Sequence, residues 1–369
     1  MKKLFLVFKP ILSFLPVQLI IKKSLIIFFS VTYLILFQQI KSFASINESE
    51  IEDYGVISIM YHRFDESKYP STNIQVDVFK KQLEIIQNEK IIFIQPSELK
   101  EQLSSNKNQR KILLTIDDGL LSFYNNAWPI LKSKKIPFII FVNTREVGSY
   151  NYMNWAQIKE LASEDFVEIG NHSHSHEYLV DEKSSVIRAD IETSIKIFKD
   201  KLGKNSKFFS YPFGEYSLNF SSIIEEFGFE YAFGQHSGVI DETKNFYELP
   251  RFPINEKYGK IDRFKTLVKT LPFKFKKISP EEKYLTKKEN PPKVQIEFYD
   301  NIKYLDRINC FSNEGDIWRS SKINFVNDNI LDIDISEKFV SERGRINCSL
   351  NAGNGFWRWL GIQFVIADK

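Results

Sequence analysis

The chain is poor in sulfur. Its 369 residues include two cysteines and three methionines, and the cysteines, Cys310 and Cys348, both fall late. A thiolate metal cluster needs several cysteines at short spacing, so that class of site is excluded. No cysteine lies near a cleavable N-terminus, which excludes a lipidated one. Histidine is also scarce, with five in all and none after His236. The net charge is only +3, and no dense run of Lys and Arg is interleaved with aromatics, so nucleic acid is excluded as a partner. Residues 1–44 contain no acidic side chain.

Those 44 residues are the first feature present. Lys22-Lys23 precede Ser24-Leu-Ile-Ile-Phe-Phe-Ser-Val-Thr-Tyr-Leu-Ile-Leu-Phe37, an apolar run as long as a signal-peptide core. Ser42-Phe-Ala44 then offers the small residues a signal peptidase reads. The run is shorter than the ~20 residues needed to span a bilayer. Cleavage after Ala44 and a periplasmic or extracellular protein are expected; an uncleaved anchor, with membrane association through this segment, is the alternative. Residues 1–21, broken by Pro10 and Pro16, sit ahead of a complete signal. In an exported chain, an isolated pair such as Cys310 and Cys348 favours a disulfide, two unpaired buried thiols being the alternative.

From Ile51 onward, strand and helix patterns alternate. Val56 to Tyr61 reads as a strand, and Phe79, Leu83 and Ile86 share one side of a helix. Pro137-Phe-Ile-Ile-Phe-Val142 is a buried strand, Asn154 caps a helix, and Asp181 to Leu202 has amphipathic helical spacing. Repeated units of this length point to parallel βα architecture. Around residues 271–292 lysines crowd among Pro280, Pro291 and Pro292, which reads as a solvated linker. Beyond it, Val294–Tyr299, Lys322–Val326, Ile330–Ile335, Arg345–Cys348 and Leu360–Val365 alternate apolar and polar residues. A small β-sandwich over residues 293–369 is expected. Within it, Trp318-Arg319 and Phe356-Trp-Arg-Trp359 suit either sugar stacking or a core of tryptophans and paired arginines.

Two stretches carry chemistry. Lys111-Ile-Leu-Leu-Thr-Ile-Asp-Asp-Gly119 is a doubly buried strand that ends in adjacent carboxylates. Side chains alternate along a strand, so Asp117 and Asp118 diverge unless the chain bends, and Gly119 permits the bend. Capping of the following helix by an Asp is the simpler reading of the same residues. Val167-Glu-Ile-Gly-Asn-His-Ser-His-Ser-His176 again runs from an apolar strand into a polar cluster. His172 and His176, four apart, share a face on a helical turn, and His174 points away. One carboxylate with two imidazoles has the composition of a catalytic Zn²⁺ site with room for water.

Thr115-Ile-Asp-Asp-Gly119 and His172-Ser-His-Ser-His176 resemble the first two motifs of the polysaccharide deacetylases, a carbohydrate esterase family. Lys207-Phe-Phe-Ser-Tyr-Pro-Phe-Gly214 is similar to the third, and the resemblance covers roughly residues 54 to 270. It implies an irregular (β/α)7 barrel over residues 45–270, with all three motifs on one rim. It implies Asp117 as catalytic base and Asp118, His172 and His176 as ligands of Zn²⁺, or of Co²⁺, Ni²⁺, Mn²⁺ or Fe²⁺. Phe213 lends its backbone N–H to an oxyanion, and Tyr211, Pro212 and Gly214 line the substrate. The implied substrate is an acetylated polysaccharide, with the branch acting on poly-N-acetylglucosamine nearest in character.

The chain departs from the family pattern at three places. Ile116 stands where Phe is usual, a change of packing. Ser210 replaces an Arg that orients the base, and Arg251, in Glu248-Leu-Pro-Arg-Phe-Pro253, is the candidate to supply that role. The late Leu-His motif that supplies a general acid is absent, which leaves His62, at the end of the first strand, or His236. An O-acetyl esterase using the same metal chemistry and an inactive glycan-binding protein are the competing functions.

Overall fold

The computed structural model describes residues 53–367 apart from 106 and 301. The signal or anchor expected over residues 1–44 lies outside them. Among the described residues no helix is long and apolar enough to cross a membrane.

The strand Lys111–Ile116 is buried at all six positions, as its run of Ile and Leu requires. It pairs in parallel with Val56–Tyr61 on one side, from Val56 opposite Lys111 to Tyr61 opposite Ile116, and with Phe138–Val142 on the other. The sheet continues in parallel through Val167–Asn171, Phe208–Ser210 and Tyr231–Phe233. Val239–Ile240 adds an antiparallel edge beside Val56–Tyr61.

Alternation along these strands sorts the side chains into two cores. Ile112, Leu114 and Ile116 face outward, where Phe79, Leu83 and Ile86 of the helix Val76–Asn88 and Trp128 and Leu131 of the helix Trp128–Lys134 cover them. Leu113 faces inward with Ile139, Phe141, Phe208, Phe233 and Leu249. Each such side chain contributes about 1.5–3 kcal/mol on burial. Two residues on from Leu113 is Thr115, and two further is Asp117, so the inward line ends in a carboxylate. Asn154 and Gln157 form a reciprocal capping box on the helix Trp155–Ala162.

Where an irregular (β/α)7 barrel was expected, the sheet curves into a half-barrel. Its two sides are bridged by Phe246–Pro253. Ala232 N–H donates to Phe246 carbonyl at 2.8 Å and Gly234 N–H to Leu249 carbonyl at 3.0 Å, while Phe252 lies in register with Ile59. Pro250 and Pro253 bring no N–H donors, so this segment cannot form a complete ladder.

The linker expected over residues 271–292 is instead built into sheets. Thr270–Pro272 and Tyr284–Leu285 pair with the long strand Phe356–Ile366, and Phe275–Ser279 pairs with Val294–Phe298. The lysine count hid a buried apolar set, Leu271, Phe273 and Leu285. Lys283 is itself buried, its Nζ donating to the Pro280 and Glu281 carbonyls. One sheet holds six strands, including Arg343–Gly353 and Phe356–Ile366; the other holds four. Ile296, Leu331, Ile346 and Phe364, drawn from both sheets, meet Phe273 in one core. Cys310 lies directly opposite Cys348 on paired antiparallel strands, and their sulfurs are bonded.

These sheets are fastened to the half-barrel beside the third motif. Gly361 N–H donates to Ser237 carbonyl at 2.6 Å, and Gln363 Nε2 donates to Gly214 carbonyl at 3.3 Å. Arg343 Nε forms an ion pair with the buried Glu215 carboxylate.

Candidate active site

Asp117 and Asp118 diverge because the chain bends at once after the strand: φ is 76° at Asp118 and 71° at Gly119. Asp117 points inward and is fully buried. Arg251 grips it at two points, Nη1 to Oδ1 at 2.7 Å and Nη2 to Oδ2 at 2.8 Å. The guanidinium is held in turn, with Nε donating to Gly234 carbonyl at 2.9 Å and Nη2 to Ser210 Oγ at 2.9 Å. The Phe141 and Phe233 rings flank it at 5.5 and 5.7 Å. A serine at position 210 leaves room for this arginine. Burial alone would push the Asp117 carboxyl up, but the charges of Arg251 and His172 outweigh it and hold the carboxyl below its ordinary value.

Asp118 turns outward toward two imidazoles. Its Oδ1 lies 3.5 Å from His172 Nε2 and 3.5 Å from His176 Nε2. The three donor atoms all fall within 4.8 Å of one another. His172 Nδ1 is 2.6 Å from the Ser210 carbonyl, which can only accept, so Nδ1 carries the proton and Nε2 offers its lone pair to the centre. One carboxylate and two imidazoles with their lone pairs converging fit a divalent cation of the Zn²⁺ class. The acid's charge registers on the rings. Burial opposes protonation of His172, yet the neighbouring carboxylates hold its pKa above the usual value. Burial, with the charge of His172 added, pushes His176 down to about 4. Burial of Asp118 is outweighed by His172, His62 and His176, which hold its carboxyl well below the usual range.

The histidines do not converge through a helical turn, as their spacing suggested. Residues 172–178 form an irregular loop with φ of 66° at Ser173 and 54° at His176. Side chains from elsewhere hold its shape. Asp190 accepts from the His174 and Ser175 N–H groups at 2.7 and 3.0 Å, and Asn171 Oδ1 accepts from Ser173 N–H and Ser194 Oγ. His174 turns away, its Nδ1 2.8 Å from Thr144 Oγ1. Asp190 and Ser194 were not identified from sequence, and a single acid and a single serine on an amphipathic helix give no signal that would have done so.

In the third motif Ser210 braces His172 and Arg251 from behind, and Phe213 faces the cleft. Its φ is 59°, and its ring packs 4.8 Å from that of His176. Tyr211, Pro212 and Gly214, expected to line the substrate, are buried behind it. The Tyr211 hydroxyl donates to the Tyr247 carbonyl at 3.0 Å inside the core, because alternation sends its side chain away from the rim. An added Cβ at Gly214 would overlap Gln235, so the glycine keeps the turn close to its neighbour.

A cleft of about 780 Å³ opens over Asp118, His172, His176 and Phe213. His62 and His236 both line it. Burial pushes His236 down to about 3, which keeps its ring neutral. The far wall comes from the C-terminal sheets through Trp318, Arg343, Arg345 and Trp359. Trp357 is not among the lining residues. The polar face Arg343, Arg345, Asn347, alternating with Gly344, Ile346 and Cys348, was a legible sign of this wall that the sequence analysis did not use.

With this curved sheet and its rim of acids and histidines in view, the family model described as polysaccharide deacetylase matches residues 104–232 of the chain. The chain is 28% identical over 174 residues to the poly-beta-1,6-N-acetyl-D-glucosamine N-deacetylase of Staphylococcus aureus, a match covering 44% of this chain and 58% of that relative. The protein of the same description from Staphylococcus epidermidis is 25% identical over 174 residues, again 44% of this chain and 58% of the relative. The match thus spans less than two thirds of these relatives' length. In fold, the chain is similar to IcaB from Ammonifex degensii, with a TM-score of 0.53 and 24% identity over 59% of this chain and 98% of that one. It is also similar to the Streptococcus pyogenes deacetylase PplD, with a TM-score of 0.51 and 23% identity over 55% of this chain and 94% of that one.

Proposed function

We propose that the protein is a metal-dependent hydrolase that removes acetyl groups from N-acetylated sugars of a cell-envelope or exported polysaccharide. The observation that carries this reading is a buried carboxylate, Asp117, clamped by Arg251 beside the converging donors of Asp118, His172 and His176. A divalent cation held by those three residues, Zn²⁺ best fitting the set, would polarise the acetyl carbonyl and acidify the attacking water.

The chain's own groups supply the rest. Asp117 takes the proton from the water as it attacks, and Arg251 keeps that carboxylate ionised and aimed. The Phe213 N–H donates to the tetrahedral oxyanion, a contribution of about 3 kcal/mol for one such donor. His62 gives a proton to the departing nitrogen, which leaves poorly without one. The products are acetate and a free amine on the sugar. The N-terminal segment delivers the protein across the membrane or tethers it there, and the C-terminal sheets act as an accessory domain beside the cleft.

An O-acetyl esterase is the second reading. The absence of any histidine after His236 favours it, since an alkoxide needs less help from an acid. Acetate release by the Zn²⁺-loaded protein from chitin oligomers, poly-N-acetylglucosamine, peptidoglycan and acetylated xylan tests both. Release from the amides supports the proposal, release from the ester alone supports the rival, and an Asp117→Asn variant as active as wild type removes both.

A further inference from the structure

We infer that the cleft selects a polysaccharide bearing negative charge next to its acetylated sugar, and that Lys257, Arg263 and Arg345 are the residues that recognise that charge. This rests on the deacetylase reading above and names its substrate class.

The cleft wall is electrostatically one-sided. Among the described residues that line it, the sole carboxylate is Asp118, which belongs to the metal donors. Against it stand Lys257, Arg263, Arg343 and Arg345. Arg343 is paired with Glu215. No carboxylate among the described residues lies within ion-pair distance of the other three. Elsewhere in the molecule Arg63, Arg110, Arg145, Arg188 and Arg319 each pair with a glutamate.

The three cations have only weak substitutes for a counter-ion. Arg263 Nη1 donates to the Tyr258 carbonyl and its guanidinium lies 5.0 Å from that tyrosine's ring. Lys257 Nζ lies 5.4 Å from the same ring. Arg345 Nε reaches Gln363 Oε1 at 3.4 Å. Burial already pulls the Arg263 and Arg345 pKa values below their usual level, so a ligand anion would relieve a desolvated charge at each. A guanidinium binds a planar or tetrahedral oxyanion at two points, which a neutral sugar cannot offer. Trp318 and Phe311, 49% and 43% exposed, border the same cleft and present flat apolar faces for the sugar rings. A glucosamine polymer, cationic at neutral pH, would meet repulsion here. The shared chemistry is an oxyanion on the chain, either a uronic-acid carboxylate or a phosphodiester.

The test compares three length-matched oligosaccharides on the full Zn²⁺-loaded protein: neutral β-linked N-acetylglucosamine, N-acetylheparosan with its carboxylates, and a phosphodiester-linked N-acetylglucosamine chain. One anionic arm is expected to show kcat/KM at least ~10-fold above the neutral one, carried by KM. That advantage should shrink as NaCl rises from about 50 to about 500 mM, where screening becomes severe. Arg345→Gln and Lys257→Gln should each lower the anionic-to-neutral ratio, and Arg345→Lys should keep part of it. Should a variant fold poorly, the salt series on the unmodified protein decides. Equal or better turnover of the neutral oligomer at every salt concentration overturns the inference and leaves the deacetylase reading standing. If no oligosaccharide releases acetate, calorimetric binding of the same three decides independently, and salt-insensitive or absent binding of both anionic chains overturns it.

Discussion

Arg251 meets Asp117 in a two-point ion pair, both side chains fully buried, although 134 positions separate them in sequence. The pair is also tied to Thr115 and Ser210, so the Asp117 carboxylate has one orientation. Removing the arginine leaves an uncompensated buried carboxylate, which typically costs 3–5 kcal/mol in such settings. Arg251→Met is therefore expected to lower both thermal stability and kcat, while Arg251→Lys keeps the charge but loses the fork and lowers kcat by about 100-fold with a smaller change in KM. Steady-state kinetics beside a melting curve would check this, and a Lys variant with wild-type kcat would refute the positioning role.

Chelation should abolish acetate release, and Zn²⁺ or Co²⁺ should restore it. Because the donors converge only in the folded chain, the ion also stabilises it. Free metal at about 100 times Kd adds about 2.7 kcal/mol, read as a rise in melting temperature. His172→Ala and Asp118→Ala should lose that rise, whereas His174→Ala, whose ring faces Thr144, should keep it.

His236 gives the stability a pH dependence of definite sign. Its pKa is about 3 in the fold and near the ordinary histidine value when unfolded. Between those values the unfolded chain binds a proton that the folded chain refuses, so stability falls as pH drops from about 6.5 toward 3. Going from pH 7 to pH 5 this one group removes on the order of 2 kcal/mol. His236→Asn should flatten that slope in urea unfolding at the two pH values; an unchanged slope would show that other groups set it.

Gly361 is one place where the C-terminal sheets press backbone to backbone against the half-barrel. A Cβ there would lie 2.5 Å from the Ser237 carbonyl oxygen and 2.8 Å from its nitrogen, both backbone atoms that cannot step aside. Gly361→Ala should cost about 1–3 kcal/mol. It should also raise KM, since the displaced strand carries one wall of the cleft. Stability lost with KM unchanged would separate the sheets from substrate binding.

The sequence made the site's ingredients legible where chemistry is local. Two carboxylates after a buried strand and three histidines after another declare themselves by residue type, and strand alternation indicates which acid points inward. What stayed hidden depends on the path of the chain in space. The histidines converge through an irregular loop braced by Asp190 and Asn171, and no spacing rule encodes that. Tyr211 was misplaced because a motif names neighbours without saying which of them turns into the core. The linker was misread because the exposed Lys276 and Lys277 of Phe275–Ser279 mask the buried Phe273 and Leu285 that anchor it. Arg251 was reached through the family resemblance, whose nearest branch often carries an Arg in such a segment; nothing in the local sequence marks it as the partner of Asp117.

The bridge from Phe246 to Pro253 has a consequence for how the catalytic unit is delimited. The family match ends at residue 232, yet Arg251, which clamps Asp117, arrives 19 positions later, on the stretch that joins the two sides of the curved sheet. On the mechanism proposed above, a fragment trimmed to the matched boundary would keep Asp117, Asp118, His172 and His176 and lose the arginine that clamps Asp117. Competence and closure of the scaffold are thus written into the same eight residues.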